Sequence, residues 1–193
     1  MENNTERRAL ILENAVKLFA ARGYDGVGVQ EICVQSEVTK PTLYYYFTSK
    51  AGLLTAIIEE KGNQYIEELK ESLEYNHDFI GSLEEIMRAV IYYSKENADY
   101  FHLNCALETA SEVSEAGIVY KSFSQKIQNL FVEFFTKSVE EIGNMKGKEE
   151  LFARIFYQTC TSIASDILAG RIDYKPDLVP SIIHCFAYGV VSG

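Results

Sequence analysis

The sequence predicts an all-α protein, and two observations support that prediction. Only 3 prolines and 12 glycines interrupt its 193 residues, which is too little turn punctuation for a strand-rich fold. Apolar residues recur three or four positions apart along most of the chain, and this spacing places side chains on one face of a helix; we expect about nine helices. Since 47% of the residues are hydrophobic, the chain can bury a core, which excludes a wholly disordered protein.

The predicted helices are delimited by capping residues and breaks. They cover residues 6–22, 29–35, 40–47, 49–75, 82–96, 98–112, 117–142, 148–169 and 177–191. Thr5, Thr39 and either Thr48 or Ser49 are the expected N-caps, because their hydroxyls can accept a hydrogen bond from a first-turn N–H. Gly23 is expected just past the first helix, where a left-handed backbone commonly ends a helix.

The charge is distributed unevenly along the chain. Residues 1–50 hold six basic and six acidic side chains, so the other 143 residues carry the whole net charge of −10. This charge excludes a protein coated with basic surface, so that any nucleic-acid contact has to come from a local patch. A neutral N-terminal unit joined to an acidic helical body is compatible with such a patch.

Residues 29–47 have the pattern of a helix-turn-helix, in which one helix supports a second that enters the DNA major groove. The supporting side chains are small or apolar: Ile32, Cys33, Val38, Leu43 and Phe47. The opposite face carries hydrogen-bond donors and aromatic tips that can meet phosphates and base edges: Thr39, Lys40, Thr42, Tyr44, Tyr45 and Tyr46.

These residues resemble the N-terminal domain of the TetR family of transcriptional repressors. The matching residues are Ile11, Ala15, Leu18, Phe19, Gly23, Tyr24, Val29, Ile32, the run from Val38 to Phe47, Ser49, Lys50, Leu53 and Leu54. The resemblance covers about residues 6–60, and its most specific part runs from Val38 to Lys50. It implies a DNA-binding domain over residues 1–48 (the head) and a regulatory, dimer-forming domain over residues 49–193.

The sequence departs from the family's usual pattern in three places, which involve four residues. Val27 and Gly28 stand where Thr or Ser is common, so a side-chain cap and a phosphate contact are missing at the second helix. Glu37 stands where the turn usually has glycine, which costs on the order of 1 kcal/mol if the backbone there is left-handed. Gln30 replaces a residue that is usually basic or small.

The resemblance also implies roles for single residues in DNA binding. Lys40 is expected to meet a phosphate, and Thr42 and Tyr44 to reach base edges. Tyr45 and Tyr46 are expected to contact phosphates or flank the groove. Lys50, at the start of the fourth helix, is expected to hold a backbone phosphate with help from the helix dipole. Arg7 and Arg8 can add charge from the first helix.

The C-terminal body is rich in aromatic residues, which can form either an ordinary core or the wall of a mostly apolar effector pocket. The resemblance favours a pocket for a small, largely apolar effector without naming the ligand. The candidate wall residues are Phe101, His102, Cys105, Phe131 and Tyr157.

The last two helices read as the interface of a homodimer, because a wide apolar stripe runs along the terminal helix. The candidate interface residues are Phe152, Ile155, Thr159, Ser162, Leu178, Ile182, Ile183, Phe186 and Val190. The resemblance implies that two such chains bind a palindromic operator and that an effector releases them from it.

Two other functions stay open on the sequence alone. One is a helical protein that binds a small molecule and whose head no longer reads DNA. The other is a helical enzyme that uses His102 and Cys105, although no catalytic motif supports an enzyme. Those two residues lack the further ligands of a zinc site, so no metal or cofactor is expected. With no signal peptide or membrane-length apolar run, and four scattered cysteines, we expect a cytoplasmic protein with reduced thiols.

Overall fold

A computed structural model describes residues 2–139 and 145–188, and within these ranges every regular element is a helix, which confirms the all-α prediction. In chain order the elements are α1 (Glu2–Arg22), α2 (Val29–Gln35), α3 (Lys40–Phe47), α4 (Lys50–Ile57), a π-helical stretch (Ile58–Gly62), α5 (Asn63–Lys70), α6 (Phe79–Glu96), α7 (Ala98–Glu108), α8 (Glu115–Val139), α9 (Glu149–Leu168) and α10 (Leu178–Tyr188).

Two of the predicted caps are confirmed and one is wrong. The hydroxyl of Thr39 accepts a hydrogen bond from the Thr42 N–H at 3.3 Å, and that of Ser49 accepts one from the Gly52 N–H at 2.9 Å. Thr5 caps nothing, because α1 has already begun before it. The cap positions of α3 and α4 thus follow from local chemistry, whereas the start of α1 does not.

The predicted fourth helix ends earlier than expected and changes its winding. It continues from α4 through the π-helical stretch into α5, which ends at Lys70 rather than near Tyr75. A π turn inserts one extra residue and shifts which side chains face inward. Here Ile57, Ile58 and Gly62 are all buried.

Other boundaries differ by a few residues. The helix predicted from residue 82 begins at Phe79, and the one predicted to reach residue 112 ends at Glu108. The predicted ends at residues 142 and 191 lie outside the described residues. The thiols of Cys33 and Cys160 are buried as expected for core residues, but Cys185 is exposed, and no disulfide joins the four cysteines, all of which are described.

The chain forms two compact units. The first comprises residues 1–64 and 97–124, and the second comprises residues 65–96 and 125–193. The first unit therefore contains α7 and the start of α8 as well as α1 to α4. The boundary predicted between residues 48 and 49 stays a prediction, because compactness does not measure where function divides.

The first unit is built around α1, which packs against α2, α4 and α7. Its buried face holds Ile11, Ala15 and Phe19, each with no exposed surface. Apolar residues at this spacing form a continuous stripe along a helix, so α1 can serve several neighbours at once.

The core of the second unit is largely aromatic. The ring centroids of Phe131 and Tyr157 lie 4.9 Å apart, and those of Phe135 and Phe156 lie 5.9 Å apart. Phe186 of α10 joins them, 5.1 Å from Phe156. α6 packs against both α9 and α10 and closes this core. Aromatic pairs at such separations add stabilisation beyond the area that they bury.

Within the first unit, Gly62 marks the closest approach between the π-helical stretch and its neighbours. A Cβ atom at this position would lie 2.5 Å from Cε2 of Phe123 and 2.9 Å from the hydroxyl oxygen of Tyr100. Both aromatic side chains are buried, so neither can swing away into solvent. Only glycine fits this contact without displacing the core.

We predict that Gly62→Ala lowers the free energy of unfolding by about 1–2 kcal/mol. Overpacking a core costs about 1–3 kcal/mol, and the better helix propensity of alanine returns up to about 1 kcal/mol. Gly28→Ala is the control, because a Cβ there meets only the Glu31 carboxylate at 3.7 Å. Chemical denaturation of the three proteins measures the difference. Equal stability of Gly62→Ala and the parent would contradict the close contact.

Candidate nucleic-acid interface

The interface is built on α2, the turn after it and α3, whose bounds match the sequence prediction. No side chain caps α2 at Gly28; instead the Glu31 carboxylate accepts a hydrogen bond from the Gly28 N–H at 2.9 Å. This bond, together with the Arg22 guanidinium, holds the pKa of Glu31 below its usual range. Val27, which stands where the family commonly has Thr or Ser, is buried and packs inside the fold.

The turn between α2 and α3 is anchored to α1 and contains a strained residue. The side-chain amide of Asn14 donates to the Gln35 carbonyl at 3.1 Å and lies 3.2 Å from the Ser36 hydroxyl. Glu37 has a φ of +52°, so the left-handed backbone that glycine would adopt easily is held by a residue with a side chain. The Val38 N–H closes the turn on the Cys33 carbonyl at 2.9 Å.

α3 has the two faces that the sequence predicts. Leu43 and Phe47 are buried against the rest of the unit, while Tyr44 is 43% exposed and Tyr45 is 75% exposed. Thr39 and Lys40 at its start are also exposed, and Thr42 is half-buried. The hydroxyls of the two threonines lie 2.9 Å apart. Donors and aromatic tips therefore project from one rigid, supported helix.

The beginning of α1 contacts the end of α3, a relationship that sequence reasoning missed. The hydroxyl of Tyr46 donates a hydrogen bond to Oδ1 of Asn4. The guanidinium of Arg8 lies 5.2 Å from the ring centroid of Phe47 and forms an ion pair with Glu60 in the π-helical stretch. Tyr46 is thus held from the side rather than standing free on the helix.

Lys50 is likewise held by its neighbours. Its ammonium lies 4.0 Å from the ring centroid of Tyr24, and the Tyr24 hydroxyl donates a hydrogen bond to Glu115 of α8. Burial lowers the pKa of Lys50, and the charges of Asp25 and Glu115 oppose that shift. Burial and the Glu115 bond both raise the pKa of Tyr24, so the phenol keeps its proton and remains a donor. No local signal in the sequence links residue 115 to this site.

The five predicted effector-pocket residues divide between the two units. In the first unit Phe101 is buried and Cys105 half-buried, whereas His102 is exposed and lines no interior there. In the second unit Phe131 and Tyr157 are in direct ring contact. A groove of about 640 Å³ between α8 and α9 contains none of the five. Most of its lining residues are polar or charged, although their apolar atoms supply about half of the lining surface: Gln125, Gln128, Asn129, Val132, Gly147, Lys148, Glu149, Glu150, Leu151 and Arg154.

The predicted dimer residues fall into two groups. Ile183 is fully buried in its own chain, and the rings of Phe152 and Phe186 pack in the aromatic core. Phe152 and Phe186 are nevertheless only half-buried. The remaining candidates are half-buried or exposed without belonging to that core: Ile155, Thr159, Ser162, Leu178 and Ile182. Val190 lies outside the described residues.

The described residues hold no group of three or more His, Cys, Asp and Glu side chains placed to bind a metal ion. His102 and Cys105 accordingly have no third acidic, thiol or imidazole ligand among them. Along the same ranges, none of the helices combines the length and the apolar content that crossing a membrane requires.

Comparison with known proteins identifies relatives, one of which matches most of the chain. The profile of the bacterial regulatory proteins of the tetR family matches residues 11–57. The fatty acid metabolism regulator protein of Bacillus subtilis is 31% identical over 184 residues, which cover 93% of this chain and 91% of the relative. The HTH-type transcriptional regulator YuxN of Bacillus subtilis is 43% identical over 53 residues, but this match spans 28% of this chain and only 18% of YuxN.

A solved structure has the same fold. The transcriptional regulator FadR from Bacillus subtilis, in complex with stearoyl-CoA, superposes with a TM-score of 0.75 at 19% identity. The superposition covers 94% of this chain and 98% of that one. At this identity the likeness concerns the fold alone.

We predict that Glu37→Gly raises the free energy of unfolding by about 0.5–1 kcal/mol. A left-handed residue with a Cβ costs about 1–2 kcal/mol, and the greater freedom of glycine in the unfolded chain returns part of the gain. Glu37→Gln removes the charge but keeps the strain, and we expect it to leave stability unchanged. Urea unfolding of both variants separates the two causes. A gain of the same size in both would assign the effect to charge.

Proposed function

Since the chain belongs to the TetR family of bacterial transcriptional regulators, we propose that it is a ligand-responsive repressor that binds a palindromic operator as a homodimer. The observation that carries the proposal is the two-faced α3, which buries Leu43 and Phe47 and exposes Thr39, Lys40, Tyr44 and Tyr45. A helix supported in this way can enter the major groove, which is wide enough to admit it.

Each exposed residue has a proposed role that follows from its chemistry. Lys40 meets a phosphate, and Thr42 and Tyr44 read base edges. Tyr45 and Tyr46 contact phosphates or flank the groove. Phosphate contacts set the position and register of the protein, whereas base contacts set its sequence preference.

Lys50 is proposed to contact a backbone phosphate, for two reasons. It is the first residue of α4, where the free N–H groups and the helix dipole favour an anion. Its ammonium is held at one face by the Tyr24 ring, and this contact leaves N–H donors available for a phosphate.

The proposed dimer forms through α9 and α10. Ile155 on α9 is 45% exposed, and Thr159 and Ser162 continue the same face one and two turns further on. Partly exposed Leu178 and Ile182 supply the contribution of α10. Phe152, Ile183 and Phe186 pack in the chain's own core and support the exposed interface residues from inside. A two-fold dimer requires half-sites about one helical turn, or 34–36 Å, apart.

The proposed effector is a long-chain acyl thioester of coenzyme A. Two observations support this class: the Bacillus subtilis relative is named a fatty acid metabolism regulator, and the FadR of the same organism was solved with stearoyl-CoA. Phe101 and Cys105 stay candidate wall residues within the first unit and Phe131 and Tyr157 within the second, whereas His102 is exposed. If the effector weakens DNA binding by a given factor, DNA has to weaken effector binding by the same factor.

Selection of bound duplexes from a random DNA library, followed by sedimentation of the purified complex, tests the DNA-binding part. We expect enrichment of one palindrome, bound by two protomers and preferred to random DNA by about 10³ or more. Enrichment of no sequence would favour a small-molecule-binding protein whose head no longer reads DNA. A complex with one protomer would contradict the dimer.

We predict that Lys40→Ala and Tyr44→Ala impair DNA binding in different ways. Lys40→Ala should weaken binding to the selected and the random duplexes alike. For each head it should also reduce the slope of the logarithm of affinity against the logarithm of salt concentration by about 0.9. Tyr44→Ala should cost about 1–3 kcal/mol on the selected duplex and relax preference at one base step.

Salt-titrated fluorescence anisotropy measures both effects on the selected and random duplexes. Tyr92→Ala is the control, because Tyr92 is also an exposed tyrosine, at 65%, but lies on α6. If both head variants bound DNA like the parent, α3 would not be the recognition helix.

We predict that stearoyl-CoA weakens binding to the selected duplex about 5- to 150-fold, the usual range of coupling between two sites. Free coenzyme A is the matched control, because it keeps the nucleotide and lacks the acyl chain. Unchanged DNA affinity with saturating stearoyl-CoA would exclude this effector class while leaving DNA recognition intact.

A further inference from the structure

The ammonium of Lys50, at the start of α4, lies over two aromatic rings, those of Tyr24 and Phe19. The ammonium is 4.0 Å from the ring centroid of Tyr24 and 5.8 Å from that of Phe19, and these two rings are themselves in contact at 5.2 Å. Tyr24 is only 5% exposed, so its ring has a fixed place in the core of the first unit. A cation over an aromatic face is attracted by the electron density of the ring.

The orientation of that ring depends on a residue far away in sequence. Glu115 is the first residue of α8 and lies well outside residues 11–57, which match the family profile. Its carboxylate accepts the hydrogen bond of the Tyr24 hydroxyl across 91 positions of sequence. A charge-assisted bond of this kind fixes the ring and increases the electron density on its face.

Glu115 also acts on Lys50 through space. Its charge, like that of Asp25, favours the protonated ammonium and opposes the effect of burial on the Lys50 pKa. A single carboxylate on α8 therefore holds the ring on which Lys50 rests and favours the charged form of Lys50.

We propose that Glu115 is a positioning residue for DNA binding: through Tyr24 it holds the Lys50 ammonium in place to meet a DNA phosphate. The proposal rests on the proposed function, because it requires Lys50 to contact DNA. Its physical basis is preorganisation, since a long flexible side chain that is already ordered loses less entropy when it binds. Glu115 itself touches no DNA in this account.

The position of Glu115 gives the proposal a regulatory consequence. α8 begins at this residue in the first unit and continues past residue 124 into the second. A shift of its first turn away from Tyr24 releases the ring, and with it the ammonium. On this proposal, the affinity for DNA depends on the position of the first turn of α8 relative to Tyr24.

The first test is made on the free protein, without DNA. Nuclear magnetic resonance of the Lys50 side chain reports its position, because protons above an aromatic ring are shifted upfield. Glu115→Gln and Tyr24→Phe both cut the charged link while keeping a side chain of similar shape, and both should move the Lys50 ε-methylene signal towards that of an exposed lysine. Glu112→Gln removes the same charge from the turn before α8 and should leave the signal in place.

The second test measures affinity for the duplex selected on the parent protein. Glu115→Gln and Tyr24→Phe should each weaken binding about threefold, the loss expected from a weakened cation–π contact, and the double variant should weaken it no further. In a Lys50→Ala background Glu115→Gln should have no effect. Glu112→Gln should bind like the parent.

The outcomes separate the inference from the function on which it rests. An unmoved Lys50 signal in Glu115→Gln, or a loss of affinity that persists in the Lys50→Ala background, would overturn the positioning role. If the signal moves but the parent protein prefers no DNA sequence, the proposed function fails and the DNA part of the inference fails with it. The proposal is supported if the Lys50 signal moves and the loss of affinity occurs only in proteins that retain Lys50.

Discussion

The buried face of α1 is the constraint on which the first unit depends. α2, α4 and α7 all pack against this one helix, and Ile11, Ala15 and Phe19 have no exposed surface. Protein interiors are packed as densely as organic crystals, so α1 cannot shift against one partner without disturbing the others. The proposed recognition helix α3 packs against α2 and α4, and through them it is connected to α1 and α7, the latter in the part of the sequence predicted to be regulatory.

Because the protein carries a net charge of −10, its electrostatic attraction to DNA has to come from a local group of basic side chains. Two arginines of α1 form ion pairs: Arg8 pairs with Glu60, and Arg22 pairs with Glu31. Exposed ion pairs of this kind contribute little to stability and are screened by salt, so they offset the charges of the two arginines without making the structure rigid. Lys40 and Lys50, at the starts of α3 and α4, lie where helix dipoles attract anions.

Local chemistry determined what could be predicted from the sequence. The bounds of α2 and α3 and the Thr39 cap follow from residues within one turn of each other. The contacts that hold Tyr46, Arg8 and Tyr24 join residues 42, 52 and 91 positions apart, and no periodic pattern reports them. Likewise, an apolar stripe on α10 indicates burial without indicating the partner, and the structure buries Ile183 within its own chain.

Photo-crosslinking from the recognition helix tests the central claim, that α3 enters the major groove, most directly. Benzoylphenylalanine at position 45 replaces a side chain that is 75% exposed, and position 92 on α6, where Tyr92 is 65% exposed, serves as the control. The account predicts crosslinks from position 45 to two symmetric sites in the selected duplex, about one helical turn apart, and none from position 92. Crosslinks from position 92 alone would place the DNA on another surface and contradict the account.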